Sequence, residues 1–261
     1  MLNRPAPPGF RGFDPHGEFR YYERHLPHWR QPGATYFVTF RLADALPQSV
    51  LLELRRVRRE LARLGDHPSS VELRERYERD VSRRFEGSLD EGHGRCELKD
   101  SIHASIVKKC LLFGHGREYF LGCGVIMSNH CHVVIRHEKG FELEDIFQKI
   151  KGISAREINQ RTQRSGTLWE QEAYDRIIRD EEHLQRVIQY IGRNPVKCGL
   201  PLPYEFRWVH PLWKEAGWDF EDDDPTFGLM DTPLAPSASV PARGWARLPF
   251  LLPPISHPTS S

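Results

Sequence analysis

The feature that most constrains this chain is the segment 129–135, which reads NHCHVVI. Its β-branched run predicts a strand, and strand side chains alternate between the two faces of a sheet. His130 and His132 therefore share one face, while Cys131 points to the other. Paired neutral imidazoles on a rigid strand provide half of a divalent-metal site. A polar strand face that merely carries two histidines is the alternative, and this pattern alone leaves both open.

A second informative segment is 180–197, which reads DEEHLQRVIQYIGRNPVK. Its acidic start favours a helix N-terminus, and apolar residues recur at helical spacing to predict one buried stripe. Tyr190 and Asn194 lie off that stripe, four residues apart, and are therefore neighbours on one face. With Arg186, they offer a phenol, an amide oxygen and a guanidinium. Pro195 predicts that the helix ends or kinks at this point.

These segments carry a family resemblance. The chain resembles the single-tyrosine HUH transposases (insertion-sequence-200-like), and most closely the REP-associated tyrosine transposases. Each motif is weak alone, but their order and spacing together are specific. The matching segments span roughly residues 31–212 and are YFVTFR at 36–41, NHCH at 129–132, WEQ at 169–171, YDRIIRD at 174–180 and YIGRNPVK at 190–197.

The resemblance implies a role for each residue of the two motifs. His130 and His132 would bind Mg²⁺ or Mn²⁺, with Asn194 as the third protein ligand. Tyr190 would be the nucleophile that attacks a phosphodiester of single-stranded or hairpin DNA. The expected products are a 5′-phosphotyrosyl enzyme and a free 3′-hydroxyl. Because that hydroxyl can later attack the adduct, strand transfer would need no ATP.

Basic side chains near these motifs are candidates for binding the DNA backbone, since lysine and arginine supply affinity for phosphates without reading sequence. Tyr174 is the rival nucleophile, but no metal-binding residue lies at helical spacing from it. Tyr190 is therefore preferred. The predicted DNA-binding residues are Arg156, Arg176, Arg179, Arg186 and Lys197.

The pattern of elements predicts an α+β fold, a ferredoxin-like antiparallel sheet backed by helices in the order β-α-β-β-α-β-α. Residues 1–30 are expected to form a loosely attached N-terminal arm, and 31–212 the transposase-like domain. A charged, solvent-exposed helical insertion is expected over 65–95. From 213 to 261 the chain turns acidic and then rich in proline and serine, which predicts disorder.

Composition is compatible with this interpretation without requiring it. The net charge is only +1, although acids outnumber bases beyond residue 218. Five cysteines without paired spacing indicate reduced thiols rather than a disulfide framework or zinc ribbon. The sequence has no apolar run long enough for a membrane span. We expect a cytoplasmic protein that acts on nucleoid DNA as a monomer or homodimer.

Two other classes of protein were weighed. A histidine-triad nucleotide hydrolase also carries alternating strand histidines, but it needs a third histidine where this chain has Val134. The second is a non-catalytic hairpin-DNA-binding protein derived from a transposase. Because both histidines, the tyrosine and the amide are present, the sequence favours an active nuclease over this alternative.

Overall fold

The computed structural model describes residues 4–23, 27–53, 56 and 84–221. Predictions that concern residues 65–83 and 222–261 lie outside this part of the chain. Within it, no helix is both long enough and apolar enough to cross a membrane.

A five-stranded antiparallel sheet organises the molecule. Along the chain, a small hairpin of β1 and β2 precedes the strands of this sheet. The sheet order is β6-β3-β5-β4-β7, and every pair is antiparallel. The elements are β1 Arg20–Glu23, β2 Pro27–Arg30, β3 Tyr36–Arg41, α1 Ser101–Phe113, β4 Tyr119–Ile126, β5 His130–His137, α2 Leu143–Thr162, β6 Tyr174–Ile177, α3 Glu181–Lys197, β7 Arg207–Val209 and α4 Pro211–Glu215.

This arrangement confirms the predicted fold class. The strands β3, β4, β5 and β6 follow the β-α-β-β-α-β plan, and their order in the sheet is that of a ferredoxin-like fold. The edge strand β7 extends the sheet beyond β4, and the sheet stays open.

The two faces of β5 pack against different helices. Cys131 and Val133 belong to the larger core, which includes the buried sides of α1 and α2. Val134 faces the opposite way, into a second core with Leu184 and Ile188 of α3. The predicted alternation is therefore confirmed, and it places His130 and His132 on the face that α3 covers.

The helix α3 begins as its acidic start predicts, since the Asp180 side chain accepts a hydrogen bond from the His183 amide at 2.7 Å. Of the two effects predicted for Pro195, an end or a kink of the helix, the end is wrong, because α3 continues to Lys197. Pro195 lies in the last turn, where its missing N–H costs one bond of the helical ladder without stopping the helix.

The chain stays ordered beyond the predicted boundary at 212, and the N-terminal arm packs against this extension. Trp213 and Trp218 are both buried, and their indole N–H groups donate to the carbonyls of Pro8 and Pro5, each at 2.9 Å. The Arg4 guanidinium lies 4.2 Å from the Trp218 ring centroid. The predictions of a loosely attached N-terminal arm and of disorder from residue 213 are therefore wrong for these residues. Composition alone does not show that Trp213 and Trp218 pack against the arm.

Replacing Trp213 with alanine is expected to lower the free energy of unfolding by about 3–5 kcal/mol, the usual cost of deleting a buried aromatic side chain. Its ring contacts Phe120 and fills the space above Gly122. Denaturant unfolding followed by tryptophan fluorescence measures this. The neighbouring Leu212→Ala variant is the control, because Leu212 is half exposed; an equal loss in both variants would contradict the packing described.

Candidate functional site

Two imidazoles project from β5 onto the sheet face beneath α3. The rings of His130 and His132 have centroids 4.6 Å apart, and both side chains are 0% exposed. Because β5 lies in the middle of the sheet, between β3 and β4, its backbone is fixed by hydrogen bonds on both sides. The direction of both rings is therefore set by the fold.

The Nδ1 atom of each imidazole has its own polar partner. That of His130 lies 2.8 Å from Asn129 Oδ1, and that of His132 lies 2.8 Å from Thr39 Oγ1. The Asn129 amide in turn donates to the His93 carbonyl at 3.1 Å. An amide oxygen only accepts, so His130 donates from Nδ1 and keeps the Nε2 lone pair available. Such a partner orients an imidazole for metal binding.

Sequence reasoning gave Thr39 and His93 no role. Thr39 lies on β3, in register with His132 on β5, and that pairing joins positions far apart in the chain. Asn129 directly precedes the first histidine, and this adjacency was the only signal that could have identified a partner. Nothing in the sequence indicates that the His93 carbonyl accepts a hydrogen bond from Asn129.

The side chains of α3 face the imidazole Nε2 atoms. Asn194 Oδ1 lies 3.3 Å from His130 Nε2, and the Tyr190 hydroxyl lies 3.5 Å from His132 Nε2. The four residues predicted from the two motifs are thus brought together from β5 and α3. Asn194 is itself fully buried.

Burial keeps both histidines neutral. It lowers the pKa of His130 to about 4, although the Asn194 amide oxygen, which accepts a hydrogen bond from the protonated ring, opposes that shift. Burial also lowers the pKa of His132 well below its ordinary value, and the nearby His130 and Lys197 act in the same direction. Near pH 7 both rings are therefore in the neutral form that binds metal ions.

Burial has the opposite consequence for Tyr190, whose pKa it raises well above the ordinary value. The carboxylates of Glu86 and Asp90 raise it further, whereas Asn194 and Arg176 lower it. The phenol is therefore protonated at neutral pH. Additional positive charge is needed before it can act as a nucleophile.

The donor set fits a divalent cation. Two imidazole nitrogens and the Asn194 amide oxygen converge, which suits Mn²⁺ or Mg²⁺ supplemented by water or phosphate oxygens. Within the described residues, Asn194 Nδ2 is buried with no hydrogen-bond partner. In the same part of the chain no three histidine, cysteine, aspartate or glutamate side chains cluster as a metal site. Asn194 would therefore have to supply the third protein ligand.

The predicted DNA-binding residues fall into three groups. Arg176 lies on the site face of β6, opposite Phe37, and Lys197 Nζ is 5.2 Å from the Tyr190 ring centroid. Arg179 and Arg186 lie near His183, whose pKa their charges lower. Arg156 is exposed on α2, which packs on the other face of the sheet.

The rival nucleophile also lies on the site face, but further away. Tyr174 pairs with Thr39, and Thr39 pairs with His132, so Tyr174 is two strands from the imidazole. Its hydroxyl accepts a hydrogen bond from Arg176. Tyr190 is the tyrosine in contact with the histidine pair.

The end of the predicted insertion also reaches the site. Residues 84–90 are helical, and Glu86 is 9% exposed although it was predicted to be on a solvated helix. The prediction is wrong for this residue, because a polar composition does not show which side of a short helix packs against the domain.

Comparisons with known proteins agree with the motif analysis. Residues 102–194 match the family model described as "Transposase IS200 like", a segment that contains both histidines, Tyr190 and Asn194. The family resemblance is thereby confirmed over this segment, and the chain has a transposase-like DNA-processing role.

Similarity beyond the family model is limited. No curated protein sequence matches the chain. Among solved structures, a REP-associated tyrosine transposase bound to a REP hairpin is similar at 14% sequence identity, with a TM-score of 0.39, over 73% of this chain and 88% of that one.

Proposed function

We propose that this protein is a metal-dependent endonuclease and strand transferase that cleaves single-stranded DNA beside a hairpin. The observation that carries the proposal is the contact between the Tyr190 hydroxyl and His132 Nε2 at 3.5 Å. It joins a nucleophile to a neutral imidazole pair that has a metal-binding donor set. The hairpin substrate and a site of action on DNA in the cytoplasm follow from the family resemblance.

The reaction begins with attack by the Tyr190 oxygen on the phosphorus. The phenol gives up its proton as the O–P bond forms, the bond from phosphorus to the 3′ oxygen breaks, and that oxygen leaves with a proton as a 3′-hydroxyl. The 5′-phosphotyrosyl bond keeps the energy for a later strand transfer. A bound Mg²⁺ or Mn²⁺ would neutralise negative charge on the phosphate oxygens.

The surrounding residues have distinct tasks in this proposal. His130, His132 and Asn194 would hold the cation. Arg176 lowers the pKa of Tyr190 and Lys197 Nζ lies 5.2 Å from its ring centroid, so both charges favour the phenolate and the incoming phosphate. Arg179, Arg186 and Arg156 would bind flanking backbone, either in a monomer or in a homodimer.

The proposal is tested with purified protein, Mn²⁺ and labelled single-stranded oligonucleotides that carry palindromes from around its gene. We expect a covalent protein–DNA band on a denaturing gel. It should disappear when Tyr190 is replaced by phenylalanine or His130 by alanine. Tight hairpin binding without any band would instead support a non-catalytic hairpin-binding protein.

The partners of the imidazoles give a further prediction about metal affinity. Thr39→Val and Asn129→Ala are each expected to weaken Mn²⁺ binding by about 10–100-fold, since they release the Nδ1 atoms that set the ring orientation. Isothermal titration with Mn²⁺ measures this without DNA. Two variants serve as controls. Thr35→Val removes a buried hydroxyl next to β3, and Asn159→Ala removes a side-chain amide away from the site. Equal losses in the control variants would contradict the positioning role.

A further inference from the structure

The candidate site is closed in this structure. His130, His132 and Asn194 are all 0% exposed, although a phosphodiester has to reach both the metal ligands and the Tyr190 hydroxyl. If the proposed function holds, some element that covers the site must give way when DNA binds. The inference that follows rests on that function.

One element packed against this region, in addition to α3, is the helical segment 84–90. The ring of Phe85 contacts that of Tyr174 on β6, with centroids 5.9 Å apart. At the other end of the segment, the Asp90 carbonyl accepts a hydrogen bond from Cys198 Sγ at 3.4 Å. Cys198 directly follows α3. The segment therefore spans from β6 to the end of α3, across the region that contains Tyr190.

The segment places a carboxylate inside this region. Glu86 is nine-tenths buried, and within the described residues its Oε1 atom has no hydrogen-bond partner. Burial raises the pKa of Glu86 to about 7, and the charges of Arg176 and Lys197 oppose that rise. Asp90 is close enough to act on both Glu86 and Tyr190. Two acids thus lie among the basic groups nearest the nucleophile.

We propose that the carboxylates of Glu86 and Asp90 occupy the position that a DNA phosphate takes beside Tyr190, so that DNA displaces the 84–90 helix before cleavage. A carboxylate and a phosphodiester are both anions that pair with arginine and lysine. The same side chains cannot hold both at once. The phosphate subsite is therefore defined by Arg176 and Lys197, and the chain fills it in the absence of DNA.

The test compares the wild-type chain with a Glu86→Gln/Asp90→Asn variant at pH 8, above the pKa of Glu86, so that the substitutions keep side-chain size and remove two negative charges. Binding to labelled hairpin oligonucleotides from around the gene is measured in EDTA, and adduct yield in Mn²⁺. We expect the variant to bind about tenfold more tightly, since two like charges beside the phosphate are removed. The initial rate of adduct formation should rise as well.

A matched control carries the same charge change elsewhere. Asp145→Asn/Glu157→Gln neutralises two exposed acids of α2, which packs on the other face of the sheet. A thermal melt confirms that each variant folds. If the melting temperature of the Glu86→Gln/Asp90→Asn variant is clearly lowered, Glu86→Gln alone takes its place. Equal gains in binding for both double variants would show a general charge effect and overturn the proposal.

The remaining outcomes separate this inference from the proposed function. If the Glu86/Asp90 variant binds the hairpin as wild type does but forms no adduct, the two carboxylates take part in the reaction. That result contradicts the proposal that they occupy the phosphate position. A variant with unchanged hairpin binding and unchanged adduct yield also contradicts that proposal. Tighter binding by the Glu86/Asp90 variant with no adduct from any chain would refute the nuclease function while supporting the occupied subsite. No hairpin binding by any chain would refute both.

Discussion

A Tyr190→Phe variant is expected to form no detectable covalent DNA adduct, a loss of at least about a thousandfold, because the substitution removes the only atom that forms the bond to phosphorus. The remaining ring keeps its edge contacts with Phe37 and His132. Folding and hairpin binding should therefore be close to wild type. The adduct is measured by denaturing gel in Mn²⁺, and binding by fluorescence anisotropy.

Tyr174→Phe is the matched control for that variant. Tyr174 lies on the same face of the sheet, but Thr39 separates it from His132. Its adduct yield should stay within a few-fold of wild type, since the hydroxyl that is removed hydrogen-bonds with Arg176 and lies two strands from His132. Loss of the adduct in Tyr174→Phe with retention in Tyr190→Phe would reassign the nucleophile.

The second large effect concerns the metal ligands. His130→Ala and His132→Ala are each expected to weaken Mn²⁺ binding by more than about 100-fold, beyond the usual effect of losing a ligand's partner. Each variant removes one of the three proposed protein donors, and within the described residues no group of three histidine, cysteine, aspartate or glutamate side chains forms another metal site. Electron paramagnetic resonance of free Mn²⁺ measures the affinity without DNA or turnover.

A buried histidine away from the metal site serves as the control. His183 is buried near the start of α3, and burial lowers its pKa to about 4, so it too is neutral near pH 7. His183→Ala should leave Mn²⁺ affinity unchanged. If this variant loses metal as strongly as the strand variants do, or if those variants keep it, the assigned ligand set is incorrect.

Local periodicity is the reason that much of the fold could be predicted. The alternation along β5 depends only on strand geometry, and the apolar stripe of α3 only on helical spacing. Both elements therefore appear in the sequence without knowledge of the rest of the chain. The order of the predicted elements indicated a ferredoxin-like arrangement, and the family resemblance placed His130, His132, Tyr190 and Asn194 in one site.

Contacts between distant parts of the chain could not be predicted in this way. The bond from Asn129 to the His93 carbonyl, and that from His132 to Thr39, depend on loop paths and sheet register. The buried position of Glu86 depends on which side of a polar helix packs inward. Composition predicts solvation for such a helix, yet one carboxylate lies beside the nucleophile.

The most direct measurement is peptide mapping of the trapped adduct. After reaction with a labelled hairpin oligonucleotide in Mn²⁺, the DNA is trimmed by nuclease, the protein is digested, and the modified peptide is sequenced by tandem mass spectrometry. The account predicts a nucleotide 5′-phosphate on Tyr190, within the peptide that also contains Asn194. Modification of Tyr174 or another residue would contradict it.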